Sequence, residues 1–189
     1  MNYQPLWIDG KTIGESRRDA EGRYEIILSF LRDVVKPGFS LLDVGAQSGY
    51  FSVRFSKEMG AAATAVDGEA DVLLNGLEAM KPHDVSAVVK FLKPRDLMIF
   101  RPVDVTLCLS VLHHVPWWEQ MLDEIMRLSR IVFIECAMPG EDIGKDPDLL
   151  REQDEKVRGL KDSMLVGHTP GFDTRFGRPM YMIPGLRTS

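Results

Sequence analysis

A glycine-containing loop carries the residues whose types and spacing best suit cofactor binding. It runs from Asp43 to Gly49 (Asp-Val-Gly-Ala-Gln-Ser-Gly), between a buried apolar run and a helix-like segment. Glycines in such a loop allow positive φ angles and let a ligand approach the backbone. A dinucleotide-binding loop needs glycine at positions 45, 47 and 50, but Gln47 and Tyr50 stand at two of these positions. The spacing therefore disfavours binding of a pyrophosphate.

A second acid, Asp67, follows the next apolar run, 18 residues after Gly49. A carboxylate at the end of a second strand can accept hydrogen bonds from both hydroxyl groups of an adenosine ribose. Alone, Asp43 or Asp67 would more often be a turn or helix-start residue. Because they occur together at this spacing, they predict binding of an adenosine-containing cofactor. Glu69 is a less favoured substitute for Asp67.

A third group of polar residues follows the apolar run Val105–Leu112, which contains Ser110 and leads into His113 and His114. Ligands of open α/β sheets gather at the carboxyl ends of strands, so we expect these side chains in the same crevice as the loop. Two alternatives stay open. The Ser110 hydroxyl can bond to the backbone, and the histidines can cap backbone groups or pack against the next helix.

These segments resemble the class I (seven-β-strand) S-adenosylmethionine-dependent methyltransferases. Asp43, Gly45 and Gly49 match the family's first motif, D/E-x-G-x-G-x-G, with Gln47 in place of the middle glycine. The resemblance implies that this loop wraps the methionine half of S-adenosylmethionine and that Asp67 binds the ribose. The cofactor-binding residues that it implies are Asp43, Gly45, Ala46, Gln47, Ser48, Gly49, Asp67 and Ser110.

The resemblance extends from Glu21 to Pro184. Asp104–Val115 resembles the segment in which the family's fourth strand ends beside the transferable methyl group, and Gly177–Ile183 resembles its seventh, antiparallel strand. A hydroxyl or amine acceptor must lose a proton during methyl transfer, and a nearby base can take it. His113 is the candidate catalytic base.

Several other side chains have two interpretations. Trp117 and Trp118 would lie about 100° apart on a helix, so we expect one to pack inward and the other to line the crevice.

No residue is a good match for the acid that the family often places beside adenine, and Asp96 is the nearest candidate. Three arginines are expected on a solvated helix face, although one of them could instead pair with the cofactor's carboxylate. These are Arg17, Arg18 and Arg23.

The elements that position these residues alternate along the chain. Near-continuous apolar strands separated by helices are typical of a parallel sheet covered on both faces. The predicted strands are Ser40–Val44, Ala61–Val66, Val85–Leu92, Val103–Leu112 and Ile131–Ala137. The predicted helices are Gly49–Met59, Ala70–Met80, Pro116–Leu128 and Pro147–Val157.

A hairpin over Leu6–Ile13, with Asp9-Gly10 at its turn, and a helix over Asp19–Val35 are predicted before this alternation. After it, Ser163–Val166 and Pro179–Ile183 are joined without a helix, which predicts an antiparallel pair at the sheet edge. The pattern therefore predicts an α/β fold with an antiparallel edge strand. Together with the resemblance, it implies a doubly wound, mostly parallel seven-stranded sheet, the Rossmann-like methyltransferase fold.

Composition limits the class of protein. The 189 residues include 23 basic and 28 acidic side chains, for a net charge of −5. The length predicts a single domain over residues 1–189, with a hairpin and helix in 1–36 and the core in 37–189, and the resemblance implies that it is a methyltransferase domain. The acidic balance makes a nucleic-acid partner unlikely without excluding it.

Cys108 and Cys136 lie in apolar runs without metal-site spacing, so we expect them to be buried and expect no metal. No apolar stretch approaches the roughly 20 residues that span a bilayer, and no signal-peptide pattern is visible, which predicts a cytoplasmic protein without a membrane partner.

We therefore expect an S-adenosylmethionine-dependent methyltransferase that acts on an oxygen or nitrogen atom of a small molecule or glycan. The alternative is a catalytically weak S-adenosylmethionine-binding subunit of a larger methyltransferase complex, which would account for Gln47 and the missing adenine acid. A nicotinamide-dependent oxidoreductase is disfavoured by the missing glycines. Short insertions leave no large substrate domain, so a homodimer or a partner subunit could complete the site.

Overall fold

The structure is a computed structural model that describes residues 3–171 and 175–186. The loop predicted between the last two strands and both ends of the predicted domain lie partly outside the described residues. The first elements form an antiparallel hairpin, β1 (Leu6–Ile8) and β2 (Lys11–Ile13). Its turn residues Asp9 and Gly10 have φ angles of 50° and 78°, the positive values that a tight hairpin turn requires.

Seven strands form the main sheet. They are β3 (Ser40–Val44), β4 (Ala62–Asp67), β5 (Val85–Val89), β6 (Val103–Leu109), β7 (Ser129–Glu135), β8 (Met164–Pro170) and β9 (Gly177–Pro184). Their order in the sheet is β5-β4-β3-β6-β7-β9-β8. β4 pairs in parallel with β3 and β5, whereas β9 pairs antiparallel with β7 and β8. The predicted fold class and the antiparallel pair at the edge are both confirmed.

Capping side chains explain where several helices begin. The Asp19 carboxylate accepts the Gly22 N–H at 2.8 Å before the first helix, and the Asp146 carboxylate accepts the Asp148 N–H before the last one. The described helices are α1 (Ala20–Leu31), α2 (Tyr50–Met59), α3 (Ala70–Asn75), α4 (Leu77–Met80), α5 (Trp118–Leu128) and α6 (Pro147–Arg158). Two 3-10 helices cover Pro94–Ile99 and Leu112–His114.

The chain divides into two compact units. The first unit comprises Met1–Leu92 with Val103–Val105, and the second comprises Lys93–Pro102 with Thr106–Ser189. Each unit has its own apolar core. The core of the first includes Ile27, Leu31, Leu42, Val53 and Phe55, and that of the second includes Leu107, Ile125, Phe133, Ile134 and Val157.

In the first unit, the side chain of Arg54 on α2 ties the hairpin and α1 to this helix. Its guanidinium lies 4.5 Å from the ring centroid of Trp7 and 3.7 Å from that of Tyr24. It also pairs with the carboxylates of Glu21 (2.8 Å) and Glu58 (3.0 Å). A two-stranded hairpin is marginal by itself, and these contacts give it a surface to pack on.

Two differences between the predicted and the observed elements have local causes. The helix predicted over Ala70–Met80 divides at Gly76, where a Cβ would stand 1.9 Å from the carbonyl oxygen of Ser48. Glycine is therefore needed for close approach to the loop, at the cost of local helix propensity. The strand predicted to reach Leu112 stops at Leu109, because Ser110 has a φ of 62° and leaves the extended conformation.

Candidate functional site

Alternating left-handed residues shape the Asp43–Gly49 loop. Gly45, Gln47 and Gly49 have φ angles of 71°, 52° and 77°. The N–H groups of Gly45 and Ala46 both donate to the carbonyl oxygen of Val66, at 2.9 and 3.0 Å. The left-handed conformation costs a non-glycine residue about 1–2 kcal/mol, so Gln47 is strained where the methyltransferase motif has glycine. Gly45 and Gly49, on either side of Gln47, adopt positive φ angles without this cost.

Asp67 fixes this loop from the end of β4. Its Oδ2 accepts the Gln47 N–H at 2.8 Å, and its Oδ1 accepts the Glu69 N–H at 2.8 Å. The carboxylate is buried, with 7% exposure, whereas Glu69 is exposed. Each carboxylate oxygen can accept a second hydrogen bond, so Asp67 can hold the loop and still receive hydroxyl donors.

Asp43, at the start of the loop, is a buried carboxyl group with 3% exposure. The Ser52 hydroxyl donates to its Oδ2 at 2.9 Å. Burial, aided by the negative charge of Asp67, raises the pKa of Asp43 to about 7, although the hydrogen bond from Ser52 acts in the opposite direction. Ser48 is also buried, and its hydroxyl donates to the carbonyl oxygen of Pro5 at 3.1 Å.

Phe91 is a candidate site residue that the sequence analysis missed. A Cβ on Gly68 would lie 2.9 Å from Cδ2 of this ring, and the Lys90 N–H donates to the Asp67 carbonyl oxygen at 2.8 Å. The ring therefore lies against the backbone that follows Asp67, yet 55% of Phe91 is exposed. Asp96, in contrast, accepts the Lys93 N–H at 2.9 Å and caps a 3-10 helix of the second unit. The sequence analysis sought an acid beside the adenine and therefore passed over Phe91. The apolar run that contains this phenylalanine also gives no sign that its ring is exposed.

The solvated helix face expected for the three arginines is wrong for Arg18 and Arg23, which are buried, and Arg17 is solvated but precedes α1 rather than lying on a helix. Arg17 is exposed, but Arg18 and Arg23 are only 2% and 0% exposed. Arg23 donates from Nε to the Asp19 carbonyl oxygen at 3.1 Å, and its guanidinium lies 5.2 Å from the ring centroid of Phe51. Its positive charge also acts to lower the pKa of Asp43. The long apolar stem of arginine lets it pack on the buried face of α1, which the helix-period pattern could not reveal.

In the second unit, Ser110 belongs to a buried polar cluster rather than bonding through its hydroxyl to the backbone. The hydroxyl donates to Glu135 and accepts from Nη1 of Arg178 at 2.7 Å. Thr169 also donates to Glu135. Arg178 in turn donates to both oxygens of Glu141, from Nε at 2.8 Å and from Nη2 at 2.7 Å. The members of this cluster, which we name the arginine cluster, are all at most 5% exposed: Ser110, Glu135, Glu141, Thr169 and Arg178.

His113 and the tryptophans also lie in the second unit. His113 is 5% exposed, and its ring centroid is 4.1 Å from that of the exposed His114. Trp118 is buried and Trp117 half-buried, so Trp118 packs inward as one of the pair was expected to do. The two cysteines are free and buried, as predicted, and burial raises the pKa of the Cys136 thiol.

No helix within residues 3–171 and 175–186 is both long enough and apolar enough to cross a membrane. Across the same residues, no group of three or more His, Cys, Asp or Glu side chains is arranged to hold a metal ion.

Comparison with known proteins bears on the loop and its surroundings. A family model described as a methyltransferase domain matches residues 42–131, which include the loop, Asp67, Ser110 and His113. The match covers just under half of the chain. No curated protein sequence matches it.

Solved structures similar to this chain include methyltransferases. The bifunctional kinase-methyltransferase WbdD has a TM-score of 0.69 at 22% identity, over 90% of this chain and 41% of its own. Magnesium protoporphyrin IX methyltransferase (ChlM) from Synechocystis PCC 6803, with bound S-adenosylmethionine, has a TM-score of 0.60 at 14% identity, over 85% of this chain and 77% of its own. The N-terminal domain of EvdMO1, with S-adenosylhomocysteine bound, has a TM-score of 0.68 at 12% identity, over 97% of this chain and 91% of its own.

The chain spans about two-fifths of the length of the WbdD chains that it matches. The comparisons confirm the resemblance to class I methyltransferases and the Rossmann-like fold. They also bear out S-adenosylmethionine as the cofactor of such a domain.

Proposed function

We propose that this chain is an S-adenosylmethionine-dependent methyltransferase that transfers a methyl group to an oxygen or nitrogen atom of a small molecule or glycan. The observation that supports this most strongly is the Asp43–Gly49 loop, whose left-handed turn at Gln47 is tied to Asp67 through a 2.8 Å hydrogen bond. This connects the two acidic motifs that the resemblance assigns to the cofactor.

The residues of the first unit fit such a cofactor. The loop from Gly45 to Gly49 would hold the methionine half, with Asp43 supplying negative charge for its cationic groups. Asp67 would receive the ribose hydroxyls on its free lone pairs. The left-handed glycines keep Cβ atoms out of the loop, and a Cβ at Gly49 would stand 2.1 Å from Cε of Met80.

The exposed ring of Phe91 would contact the adenine. An adenine attached to a ribose at Asp67 extends only a few ångströms beyond it, and Phe91 lies against Gly68, the next residue. Stacking on an aromatic ring suits a purine because every base has a π-face. In this chain, stacking would then replace the acid for which the sequence offers no good match.

When bound, S-adenosylmethionine supplies an electrophilic methyl group next to a good leaving group. The chain's own residues would orient the acceptor and exclude water. We assign His113 the role of base, accepting the proton that the acceptor loses. Ser110, held by the arginine cluster, would contact the cofactor or the acceptor.

The proposed acceptor class rests on charge and on similar proteins. The chain is acidic, with a net charge of −5, which disfavours an extended polyanion such as nucleic acid. ChlM, one of the similar proteins, acts on magnesium protoporphyrin IX, a small molecule. The cytoplasmic location, the single domain and a homodimer or partner subunit stay predictions.

A second candidate function is a partner subunit that binds the cofactor with little turnover. Gln47, strained in the position of the family's middle glycine, favours it, as does the lack of a clear adenine-contacting acid in the sequence. Such a subunit would bind S-adenosylmethionine and yet transfer no methyl group by itself.

Methyl transfer tests the proposal. The purified chain is incubated with labelled S-adenosylmethionine and fractionated small molecules and glycans, and S-adenosylhomocysteine formation is followed. We expect product with at least one fraction, and slower transfer by His113→Ala at unchanged cofactor affinity. Unchanged transfer by this variant would make His113 structural. Cofactor binding without transfer to any fraction, together with co-purification of a larger protein, would favour the partner subunit.

A further inference from the structure

The segment that precedes β1 packs against the cofactor loop. The Ser48 hydroxyl donates to the Pro5 carbonyl oxygen at 3.1 Å, and both residues are buried. Further along this segment, the ring of Trp7 meets the ring of Tyr50, the first residue of α2, edge-on at 6.2 Å between centroids. Gln4 lies directly before Pro5, where the proline ring confines the preceding residue to extended conformations. The backbone of Gln4 is therefore fixed one residue away from a contact with the loop.

Gln4 carries a buried hydrogen-bond acceptor. Only 5% of the residue is exposed, and its Oε1 is shielded from water and meets no hydrogen-bond donor among residues 3–171 and 175–186. An amide oxygen has two lone pairs, and burial removes the water that would bond to them. Native proteins rarely leave such an atom unsatisfied, because nothing then compensates its desolvation. The position of Gln4 beside the loop suits a donor that is supplied by a ligand.

S-adenosylmethionine brings such a donor to this place. The proposed function puts its methionine half in the Asp43–Gly49 loop, which includes Ser48, and this half carries an ammonium group with three N–H donors. We propose that Oε1 of Gln4 accepts a hydrogen bond from this ammonium, so that the segment before β1 reads the amino-acid end of the cofactor. The inference rests on the proposed function, because it requires the cofactor in this loop.

The other groups of the cofactor do not compete for Gln4. In the proposed complex the ribose hydroxyls bond to Asp67 and the adenine lies at Phe91, while the carboxylate and the sulfonium have no proton to donate. A hydrogen bond from an ionised donor is also stronger than one between neutral groups. A neutral amide oxygen can accept it without adding a further negative charge to the buried carboxyl groups of Asp43 and Asp67.

Two ligands and one substitution isolate this contact. Calorimetric titration compares S-adenosylhomocysteine with its deamino analogue, which has hydrogen in place of the amino group. Gln4→Met keeps the length of the side chain and removes the acceptor. We expect S-adenosylhomocysteine to bind the variant about ten- to a hundredfold more weakly than the wild type, as when a hydrogen bond to a charged group is lost. The deamino analogue should bind both proteins within about twofold.

Stability separates this role from a structural one. Replacing an unsatisfied buried acceptor by an apolar group costs the free protein little, so the thermal unfolding midpoint of Gln4→Met without ligand should equal or exceed that of the wild type. A lowered midpoint would show that Gln4 serves the fold and would contradict the inference. Gln153→Met is the matched control. Gln153, on α6 of the second unit, is 2% exposed, and its Nε2 also meets no acceptor in the described part of the chain. Both ligands should bind this variant as they bind the wild type.

If Gln4→Met does not fold, nuclear magnetic resonance of the isotope-labelled wild type provides the test. The side-chain amide signals of Gln4 should shift when S-adenosylhomocysteine is added and stay in place with the deamino analogue. Signals that respond equally to the two ligands would overturn the inference.

Unchanged affinity for S-adenosylhomocysteine in folded Gln4→Met would overturn the inference, as would equal losses for the two ligands. Both results leave the proposed function standing, because the wild type still binds the cofactor product. A folded wild-type chain that binds no S-adenosylhomocysteine would overturn the proposed function and the inference with it.

Discussion

Asp67 combines a structural and a binding role within one carboxylate. Its two oxygens accept the N–H groups of Gln47 and Glu69, and in the proposed complex their remaining lone pairs accept the ribose hydroxyls. The presence of this acid could be predicted from its spacing to Gly49. Its bond to Gln47 could not, because sequence spacing does not show which N–H group a carboxylate will meet.

Asp67→Ala should weaken S-adenosylmethionine binding by about 1–3 kcal/mol, since the ribose hydroxyls would lose their buried partner. Isothermal titration measures the affinity, and circular dichroism verifies the fold. Glu69→Ala is the matched control, because this exposed acid contributes a backbone N–H rather than its side chain, and we expect unchanged affinity. Wild-type affinity in folded Asp67→Ala would remove Asp67 from the site.

Phe91→Ala should weaken binding of both S-adenosylmethionine and S-adenosylhomocysteine by about 1–3 kcal/mol, the usual loss when a stacked base loses its aromatic partner. Both ligands carry the adenine, so titration should show similar losses for the two. Met98→Ala, which shortens a 69% exposed apolar side chain of the second unit, is the control and should bind as the wild type does. A loss for only one ligand would contradict adenine stacking.

At the scale of elements, the chain's apolar periodicity predicted most strands and helices within a few residues. The deviations have local causes. Gly76 interrupts the predicted helix because the Ser48 carbonyl oxygen leaves no room for a Cβ, and left-handed Ser110 ends β6 early. Both deviations depend on contacts between segments distant in sequence, which a periodic apolar pattern cannot show.

Arg178 joins β9 to Glu141 and Ser110, and it neutralises charge within the arginine cluster. Arg178→Met should lower the free energy of unfolding by about 3–5 kcal/mol, because it leaves buried carboxylates without their cation. Urea denaturation measures the loss. Arg151→Met, which removes an exposed ion pair with Asp148 on α6, should cost no more than about 1 kcal/mol. Equal effects of the two substitutions would contradict a compensating role for Arg178.

At the scale of the whole molecule, Asp43 should make stability depend on pH. Its pKa rises from 3.8 to about 7 on folding, so the native state holds a proton that the unfolded state has lost between these values. The native state then binds more protons than the unfolded one, and the free energy of unfolding falls as pH rises from about 4 to about 7. The total contribution is on the order of 4 kcal/mol, and it is constant above that range.

Asp43→Asn should remove this dependence. Without cofactor, we expect its stability relative to the wild type to increase from pH 4 to pH 7, as measured by thermal unfolding across that range. Asp33→Asn, at an exposed position, is the control and should follow the wild-type curve. Parallel curves for Asp43→Asn and the wild type would show that Asp43 is ionised in the folded protein throughout.

For the molecule as a whole, alternating apolar strands and helices were enough to predict the α/β fold, and the resemblance of the Asp43–Gly49 loop to the family's first motif predicted the cofactor. The sequence did not predict the burial of Arg18 and Arg23, the exposed ring of Phe91 or the arginine cluster. Each of these depends on tertiary packing, which buries some charged side chains and exposes some apolar ones against their usual preference.

The most direct test of the account is calorimetric titration of the purified chain with S-adenosylmethionine and S-adenosylhomocysteine, with NAD as the control ligand. The account predicts micromolar binding of the first two and no binding of NAD, because the loop lacks the glycines that a pyrophosphate needs. A folded protein that binds neither S-adenosylmethionine nor S-adenosylhomocysteine, or that prefers NAD, would contradict it.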